Sequence, residues 1–434
     1  MNEPDIIIIG AGASGIFAAK VLSSAGKKVI VLEARNRKGG RIHTIEEKRF
    51  SSLIEEGAEF IHGEAPLTRS LLNKAGISYY SLQGETIQVK NGVQQQSSEF
   101  IKDFPLLFSE IKKLKGDIPF AEFLEQNFRG KKFKELRETA ARYVEGYDAA
   151  DINRISSYAV REEWEHRGAE ESYIIKKGYS GLIEFLAEES ADNGCEILLN
   201  REVVEIRWTN NRVKIICRTG EIFSAQIVLV TIPAGVLRAH KGSAGYIDII
   251  PEIPAYREAF RKIGVGSVIK VFIEFERSLN LNITSKQKNK PFSSPAFIFA
   301  DSSFNAWWMR YPEEHLYTGW LAGPKALRYS RKEPDKLLSK ALDTLSYIFK
   351  IEKAILYKHM RAGKVYNWND DVFSQGAYVY ETTYSKTARN FLSQPLADTV
   401  YFSGEALYDG WAMGTVEAAI QSGQRSAQQI LRRI

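Results

Sequence analysis

Asp5-Ile6-Ile7-Ile8-Ile9-Gly10-Ala11-Gly12-Ala13-Ser14-Gly15 is the stretch from which the fold can be read. The isoleucine run is short, apolar and β-branched, the pattern of a strand buried on both faces of a parallel sheet. It breaks into glycines and resumes as a helical pattern, with Ile16, Ala19, Val21 and Leu22 apolar, stopping at Gly26. A second strand-like run, Lys28-Val29-Ile30-Val31-Leu32, ends in Glu33. Gly10 permits the tight turn, Gly12 lets backbone approach a pyrophosphate, and Gly15 lets helix and strand pack closely. The helix N-terminus offers free N–H groups and a partial positive charge to phosphates. Glu33 stands where a carboxylate accepts from ribose hydroxyls. Strand, glycines, helix, strand and acid in this order predict a dinucleotide-binding βαβ unit.

Ala34-Arg35-Asn36-Arg37-Lys38-Gly39-Gly40-Arg41 follows directly. It resembles the E-A-R-x-R-x-G-G-R run of the flavin amine oxidase family, which includes monoamine, polyamine and L-amino acid oxidases and flavin-dependent histone demethylases. The resemblance implies that this run wraps the pyrophosphate and flavin of FAD. The expected cofactor contacts here are Gly10, Ala11, Gly12, Ser14, Gly15, Glu33, Ala34, Arg35, Gly40 and Arg41. The implied fold is α/β: a discontinuous, Rossmann-like FAD-binding domain beside an α+β substrate domain of mixed sheet and helices.

With 434 residues the chain is too long for one compact core, so two domains are expected. Its 44% apolar content is ordinary for a globular protein. The net charge of +6 arises from 59 basic and 53 acidic residues. These are dispersed apart from short clusters such as Lys286 to Lys290, so no nucleic-acid stripe is expected. Cys195 and Cys217 read as buried free thiols without metal-ligand spacing; no metal is expected, and low cysteine use suits a reducing, cytoplasmic setting. Met1-Asn2-Glu3-Pro4 and the short apolar run after it lead us to expect no secretory signal. No run reaches the ~18 apolar residues of a membrane span. The basic final helix contrasts with the C-terminal membrane anchor of monoamine oxidases.

Along the chain, Gly57-Ala58-Glu59-Phe60-Ile61-His62-Gly63 resembles the family's G-A-x-W-x-H-G segment beside the flavin. Gly57, Ala58, Glu59 and Phe60 are accordingly expected at the cofactor. His62 matches a position occupied in some polyamine oxidases by a histidine near the substrate, and its near-neutral pKa suits sensing an amine. A hydrogen-bonded loop histidine is the plainer alternative. Residues 66–76 and 180–193 read as helices and 99–147 as mostly helical; Tyr143, Tyr147 and Trp164 are core or pocket aromatics. Val203-Val204-Glu205-Ile206 and Val213-Lys214-Ile215-Ile216 around Asn210-Asn211 form a hairpin signature. By resemblance, Val203 contacts the adenine through its backbone. Gln226 to Ile232 is another buried strand, ending at Pro233-Ala234-Gly235 like the family's T-x-P-x-G-V-L, and Pro233 is placed at the cofactor.

Ser267 to Phe275 is a strand by its β-branched and aromatic content, with Val268, Lys270, Phe272 and Glu274 on one face. A buried lysine among apolar neighbours needs a partner; a strand edge or a snorkelling side chain would also explain it. Gly266 to Lys270 matches the family's G-x-x-x-K, whose lysine holds a water against flavin N5. That makes Lys270 a catalytic candidate for positioning water or aiding the O2 reaction. Residues 286–295 read as a loose basic loop, and Phe304, Trp307, Trp308, Tyr317 and Trp320 as aromatic strands, core before pocket. Residues 335–350 read as an amphipathic helix.

Trp368, with Gly376-Ala377-Tyr378, resembles the family's W-x-x-x-x-x-x-G-x-Y segment, whose tyrosine forms one wall of an aromatic cage over the flavin. Trp368 is placed at the cofactor and Tyr378 at catalysis and substrate, its face able to hold an amine. Ala377 stands where monoamine oxidases carry the cysteine that links FAD, so noncovalent FAD is expected. Thr399 to Glu405 resembles Y-F-A-G-E, placing Gly404 and Glu405 at the cofactor. Gly410 to Ala419 reads as the opening of the last helix, directed at the flavin's N1–C2 edge. Thr415 and Val416 are expected at the cofactor. Thr415 falls where monoamine oxidases have a second cage tyrosine, leaving the cage open on one side, with Trp411 as a compensating substrate contact.

The expected layout is an FAD domain from 1–80, 190–265 and 395–434 and a substrate domain from 81–189 and 266–394. The expected reaction is oxidation of a primary amine or polyamine, by hydride transfer from the α-carbon to flavin N5, with O2 as acceptor giving imine, aldehyde and H2O2. Glu59 and His62 motivate the polyamine version. Two alternatives stand beside it. One is an L-amino acid oxidase with Arg310 or Arg361 holding the carboxylate. The other is a low-turnover flavin-binding protein or a desaturase.

Overall fold

The computed structural model describes residues 3–82, 84–96, 99–166, 172–279, 281, 295–310 and 315–434. The basic loop expected at 286–295 lies outside the described residues, apart from the start of the strand Pro295–Ala300.

Ile6–Ile9 is the middle strand of a five-stranded parallel sheet, in the order Glu196–Leu198, Val29–Leu32, Ile6–Ile9, Ile227–Val230, Val400–Phe402. Side chains alternate across it. Ile6, Ile8, Val29, Val31 and Leu229 face the helices Ala13–Ser24, Ser180–Asp192 and Val416–Arg433. Ile7, Ile9, Leu32, Val228 and Val230 face a second core shared with the four-stranded sheet that contains Val203–Thr209 and Arg212–Cys217. The four isoleucines are at most 3% exposed, and burying each contributes about 1.5–3 kcal/mol. The hairpin expected at 203–216 is present, with Asn211 at φ 59° in its turn.

A seven-stranded mixed sheet runs Met360–Asn367, Val268–Phe275, Leu316–Ala322, Ala306–Met309, Pro295–Ala300, Glu85–Lys90, Val93–Gln96. Its pleat separates two environments. Ile269, Val271, Ile273, Tyr317, Trp307 and Ile298 pack on one face, against Leu337, Leu342 and Leu345 of the helix Pro334–Phe349. Register places Lys270, Trp320, Ala306 and Phe299 in line on the other face, with Phe272, Thr318, Trp308, Phe297 and Thr86 in the next line. The helices Phe104–Lys112, Phe120–Asn127, Lys134–Tyr147 and Ser157–His166 close around a separate aromatic core that includes Trp164.

Several expectations need correction. Val268–Phe275 is not an edge strand, because it is paired on both sides. The last helix starts at Val416, not at Gly410; Thr415 is its N-cap. Phe304 lies before the strand Ala306–Met309, not in one. The boundary drawn at 189/190 would cut the helix Ser180–Asp192, whose Leu182, Ile183 and Leu186 belong to the parallel-sheet core. Among the described residues no helix is long and apolar enough to cross a membrane.

Candidate active site

Strand ends, helix starts and loops from the whole chain meet around a cavity of about 1050 Å³. Its first limb lies beyond the C-terminal ends of the parallel strands, the usual ligand position in such sheets. Gly10, Gly12 and Ser14 line it at the start of the first helix, and Pro233 beyond the strand Ile227–Val230. Ala11 does not line the cavity. Its N–H donates to Glu33 Oε2 at 2.8 Å, while Oε1 accepts from the Arg35 N–H at 2.9 Å. Gly15 is also set back: a Cβ there would lie 2.0 Å from Gly10 O, which is why helix and strand can approach. Gly12 has room in front, its nearest non-neighbour being Gly39 O at 3.9 Å from a built Cβ. Gly39 N donates to Ala11 O at 2.8 Å, so the Gly39-Gly40 turn stacks on the first loop and makes a backbone-walled cradle.

Glu33, Ala34 and Arg35 line the same limb, as do Gly40 and Arg41. Arg35 is anchored to Asp371 and donates to Ser374 Oγ at 3.0 Å. Arg41 bonds to Glu405 at 2.6 Å and to Ala377 O. Gly57, Ala58, Val203, Gly404 and Trp368 complete the wall, Trp368 Nε1 donating to Glu56 O at 2.8 Å. Thr415 and Val416 line the cavity where the last helix begins. The Thr415 hydroxyl caps that helix, accepting from Ala418 N at 3.1 Å and donating to Ala412 O at 2.6 Å.

The second limb is walled by the cavity face of the seven-stranded sheet. Lys270 is 1% exposed, and its ammonium has three protein acceptors: Glu55 O at 2.6 Å, Gly57 O at 3.2 Å and Glu59 Oε2 at 2.8 Å. An ammonium has three hydrogens, so every one is engaged. Lys270 itself lines the cavity. Arg310 reaches Glu59 Oε1 at 3.6 Å and Glu55 Oε1 at 4.0 Å, and donates to Ile175 O at 2.8 Å. Burial alone would raise the Glu59 carboxyl, but the Lys270 and Arg310 charges outweigh it and hold the group below its ordinary value. Glu55, buried with weaker compensation from Arg310, is pushed up to about 7. Glu59 and Phe60 both line the cavity, yet the Glu59 carboxylate is committed to two protein cations. It is therefore not a free acceptor for a substrate ammonium.

Tyr378 lines the cavity, with its hydroxyl donated to Tyr147 O and its ring stacked at 6.4 Å and 17° on Trp320. Trp411 also lines it and lies flat on His166 at 5.6 Å. His62 bonds Ser172 Oγ at 3.2 Å and sits 6.0 Å from the Tyr147 ring. Sequence reading ranked Trp308 and Trp320 as core before pocket and did not single out Phe297 or Phe299, yet all four line the cavity. The available signal was period-two alternation, but only cross-strand register sorts Trp308 from Trp307. Arg310 and Arg361 do not line the cavity; Arg361 pairs with Glu274 at 2.6 Å. Cys195 and Cys217 do not line it either, and burial pushes their thiols up to about 12 and about 11.

Comparison with known proteins agrees with this geometry. Probable polyamine oxidase 4 of Arabidopsis thaliana is 25% identical, the match covering 100% of this chain and 88% of that protein. In structure the chain resembles wild-type putrescine oxidase bound to putrescine, with a TM-score of 0.80 at 18% identity over 99% of both chains. Cyclohexylamine oxidase from Brevibacterium oxydans gives 0.78 at 20% identity, again over 99% of both. The model of flavin containing amine oxidoreductases matches residues 13–431. With nearly its whole length matched, this chain belongs to the flavin containing amine oxidoreductase family.

Proposed function

We propose that the protein is an amine oxidase that holds FAD noncovalently and passes electrons to O2. The observation that carries this reading is one continuous cavity. It runs from the glycine cradle at Gly12 and Gly40 to the wall of Lys270, Trp320 and Tyr378. The first limb fits a dinucleotide: bare backbone at Gly12, an uncapped helix N-terminus beside it, and the Glu33 carboxylate at the strand end. Gly10, Gly12, Ser14, Glu33, Arg41 and Val203 would hold the adenosine and phosphate parts. Gly57, Ala58, Trp368, Gly404, Glu405 and Val416 would hold the ring system. Ala377 offers no nucleophile for a covalent link, and both cysteines lie away from the cavity.

FAD, when bound, supplies the two-electron acceptor that takes the hydride equivalent of the substrate's α-carbon. The chain's residues do the rest. The Tyr378 and Trp320 faces form an apolar wall that excludes water and favours the neutral amine. Lys270, fixed by Glu59, keeps a positive charge at the wall. Water then cleaves the imine to aldehyde and ammonia, so amine, O2 and water give aldehyde, ammonia and H2O2. The expected FAD domain is proposed with its middle piece extended upstream to include the helix Ser180–Asp192. The proposed compartment is the cytoplasm, in keeping with two buried thiols and no disulfide between them.

The test is the visible spectrum of purified protein, followed by anaerobic addition of monoamines, diamines and L-amino acids in turn and readmission of air. Bleaching by amines and recovery with H2O2 in air is the expected result. Lys270→Met should slow bleaching or recovery by at least about tenfold, given the work asked of a placed charge. A flavin band that no amine bleaches overturns the proposal.

A further inference from the structure

Seven aromatic side chains form a closed ring in the second limb of the cavity. Phe60 touches Phe297 at 5.8 Å, Phe297 meets Phe299 at 6.1 Å, and Phe299 meets Phe100 at 4.7 Å. Phe100 continues to Tyr143 at 6.2 Å, Tyr143 stacks on Tyr147 at 5.7 Å, Tyr147 meets His62 at 6.0 Å, and His62 returns to Phe60 at 5.6 Å. All seven line the cavity. Secondary structure sets the spacing. Phe60 and His62 share one face of Phe60–His62, Phe297 and Phe299 one face of Pro295–Ala300, and Tyr143 and Tyr147 are one turn apart on Lys134–Tyr147. The ring adjoins the proposed reaction wall, for Phe60 lies 5.3 Å from Trp308, over which Lys270 Nζ sits at 5.3 Å.

We propose that this ring seats the non-reacting end of the substrate, and that it takes an apolar alkyl or aryl group and disfavours a second ammonium. The inference rests on the amine oxidase reading above. No member of the ring is a carboxylate. An aromatic face attracts an ammonium, but a desolvated charge inside the ring would lack a counter-ion, with the Lys270 cation close to its inner end. Asp148, at the inner end of the same helix, is itself engaged within the protein. Carboxylates appear outward along the helix and the neighbouring strand. There Glu99, Glu135, Glu138 and Asp301 are interleaved with Lys90, Lys102 and Arg142, Glu135 pairs with Lys90, and Glu162, Glu163 and Glu381 line the cavity elsewhere, none of them a member of the ring.

Two amines with no hydrogen on the α-carbon, and so not oxidisable, give a direct test by calorimetry on the flavin-loaded protein. These are 2-methyl-4-phenylbutan-2-amine and 2,5-dimethylhexane-2,5-diamine. The phenyl compound should bind at least about tenfold more tightly, as expected for a buried ring set against a desolvated charge. Phe299→Ala and Tyr143→Leu should each weaken the phenyl compound about tenfold and the diamine less than about twofold. In turnover, kcat/KM for linear monoamines should rise about fourfold per added methylene until the ring is filled. Equal or tighter binding of the diamine, or of spermine under anaerobic conditions, overturns the seat while leaving amine oxidation standing. Tight phenyl binding by a protein whose flavin no oxidisable amine bleaches supports the seat and overturns the oxidase reading. Should neither variant fold, the two wild-type affinities decide.

Discussion

Replacing Glu59 with glutamine probes the buried charges behind the cavity wall. The Glu59 and Lys270 side chains are 2% and 1% exposed and 2.8 Å apart. Removing one partner of a buried pair costs about 3–5 kcal/mol. Lys270 keeps two carbonyl acceptors, so the lower end, about 3 kcal/mol, is expected at pH 6. Glu55 makes the loss depend on pH. Burial lifts its folded pKa to about 7, with Arg310 opposing and Glu59 assisting the rise, against an unfolded value of about 4.3. A group raised in this direction contributes stability that is full below the unfolded value and disappears as pH climbs through 7. Between pH 6 and 8 the wild type should thus lose about 1.4 kcal/mol from Glu55 alone. In Glu59→Gln the like charge that helps raise Glu55 is gone, Glu55 ionises more readily, and it becomes the counter-ion of Lys270 and Arg310. The variant's deficit should shrink from about 3 kcal/mol at pH 6 to about 2 at pH 8. Urea unfolding of both proteins at the two pH values and one fixed flavin concentration measures this. A deficit below about 1 kcal/mol at pH 6, or one that grows with pH, would refute the reasoning.

Three further outcomes are expected. Glu55→Gln mimics the protonated carboxyl, so its stability relative to wild type should move in its favour by about 2.5 kcal/mol between pH 5 and 8; an unchanged difference would exclude a raised Glu55. Gly15→Ala puts a Cβ 2.0 Å from Gly10 O and 2.7 Å from Thr231 Oγ1, forcing the first helix off its strand. Protein recovered from this variant should lack the visible flavin band, and full flavin occupancy would contradict the packing. Thr415→Val removes the cap of the last helix and should cost about 1 kcal/mol in urea unfolding, together with a measurable loss of flavin affinity in a reconstitution titration.

The first limb of the site was legible from local sequence. An isoleucine run, three spaced glycines and a terminal acid act within one βαβ unit, so residue spacing and geometry coincide, and the flavin-oxidoreductase family follows from the same stretch. The strands at 227–230, 268–275 and 400–402 were legible for a similar reason: β-branched runs buried on both faces carry their own pattern. Glu59 was expected beside the cofactor and Arg310 offered as a carboxylate holder, but that the two pair with each other was not legible. Their partners come from strands distant in sequence, and an ion pair has no sequence period. Trp307 and Trp308 are equivalent by composition, yet one is core and the other cavity wall. The decision lies in antiparallel register, which a one-residue slip would reverse. The aromatic ring belongs wholly to tertiary structure. Two strands, a helix and Phe100 each contribute one or two members, and only the packing of the seven-stranded sheet against the helix Lys134–Tyr147 brings them to ring contact. Local chain geometry thus determined the cofactor side, because phosphate recognition uses consecutive backbone groups. The second limb was decided by long-range packing, because its walls are side chains that meet only in the fold.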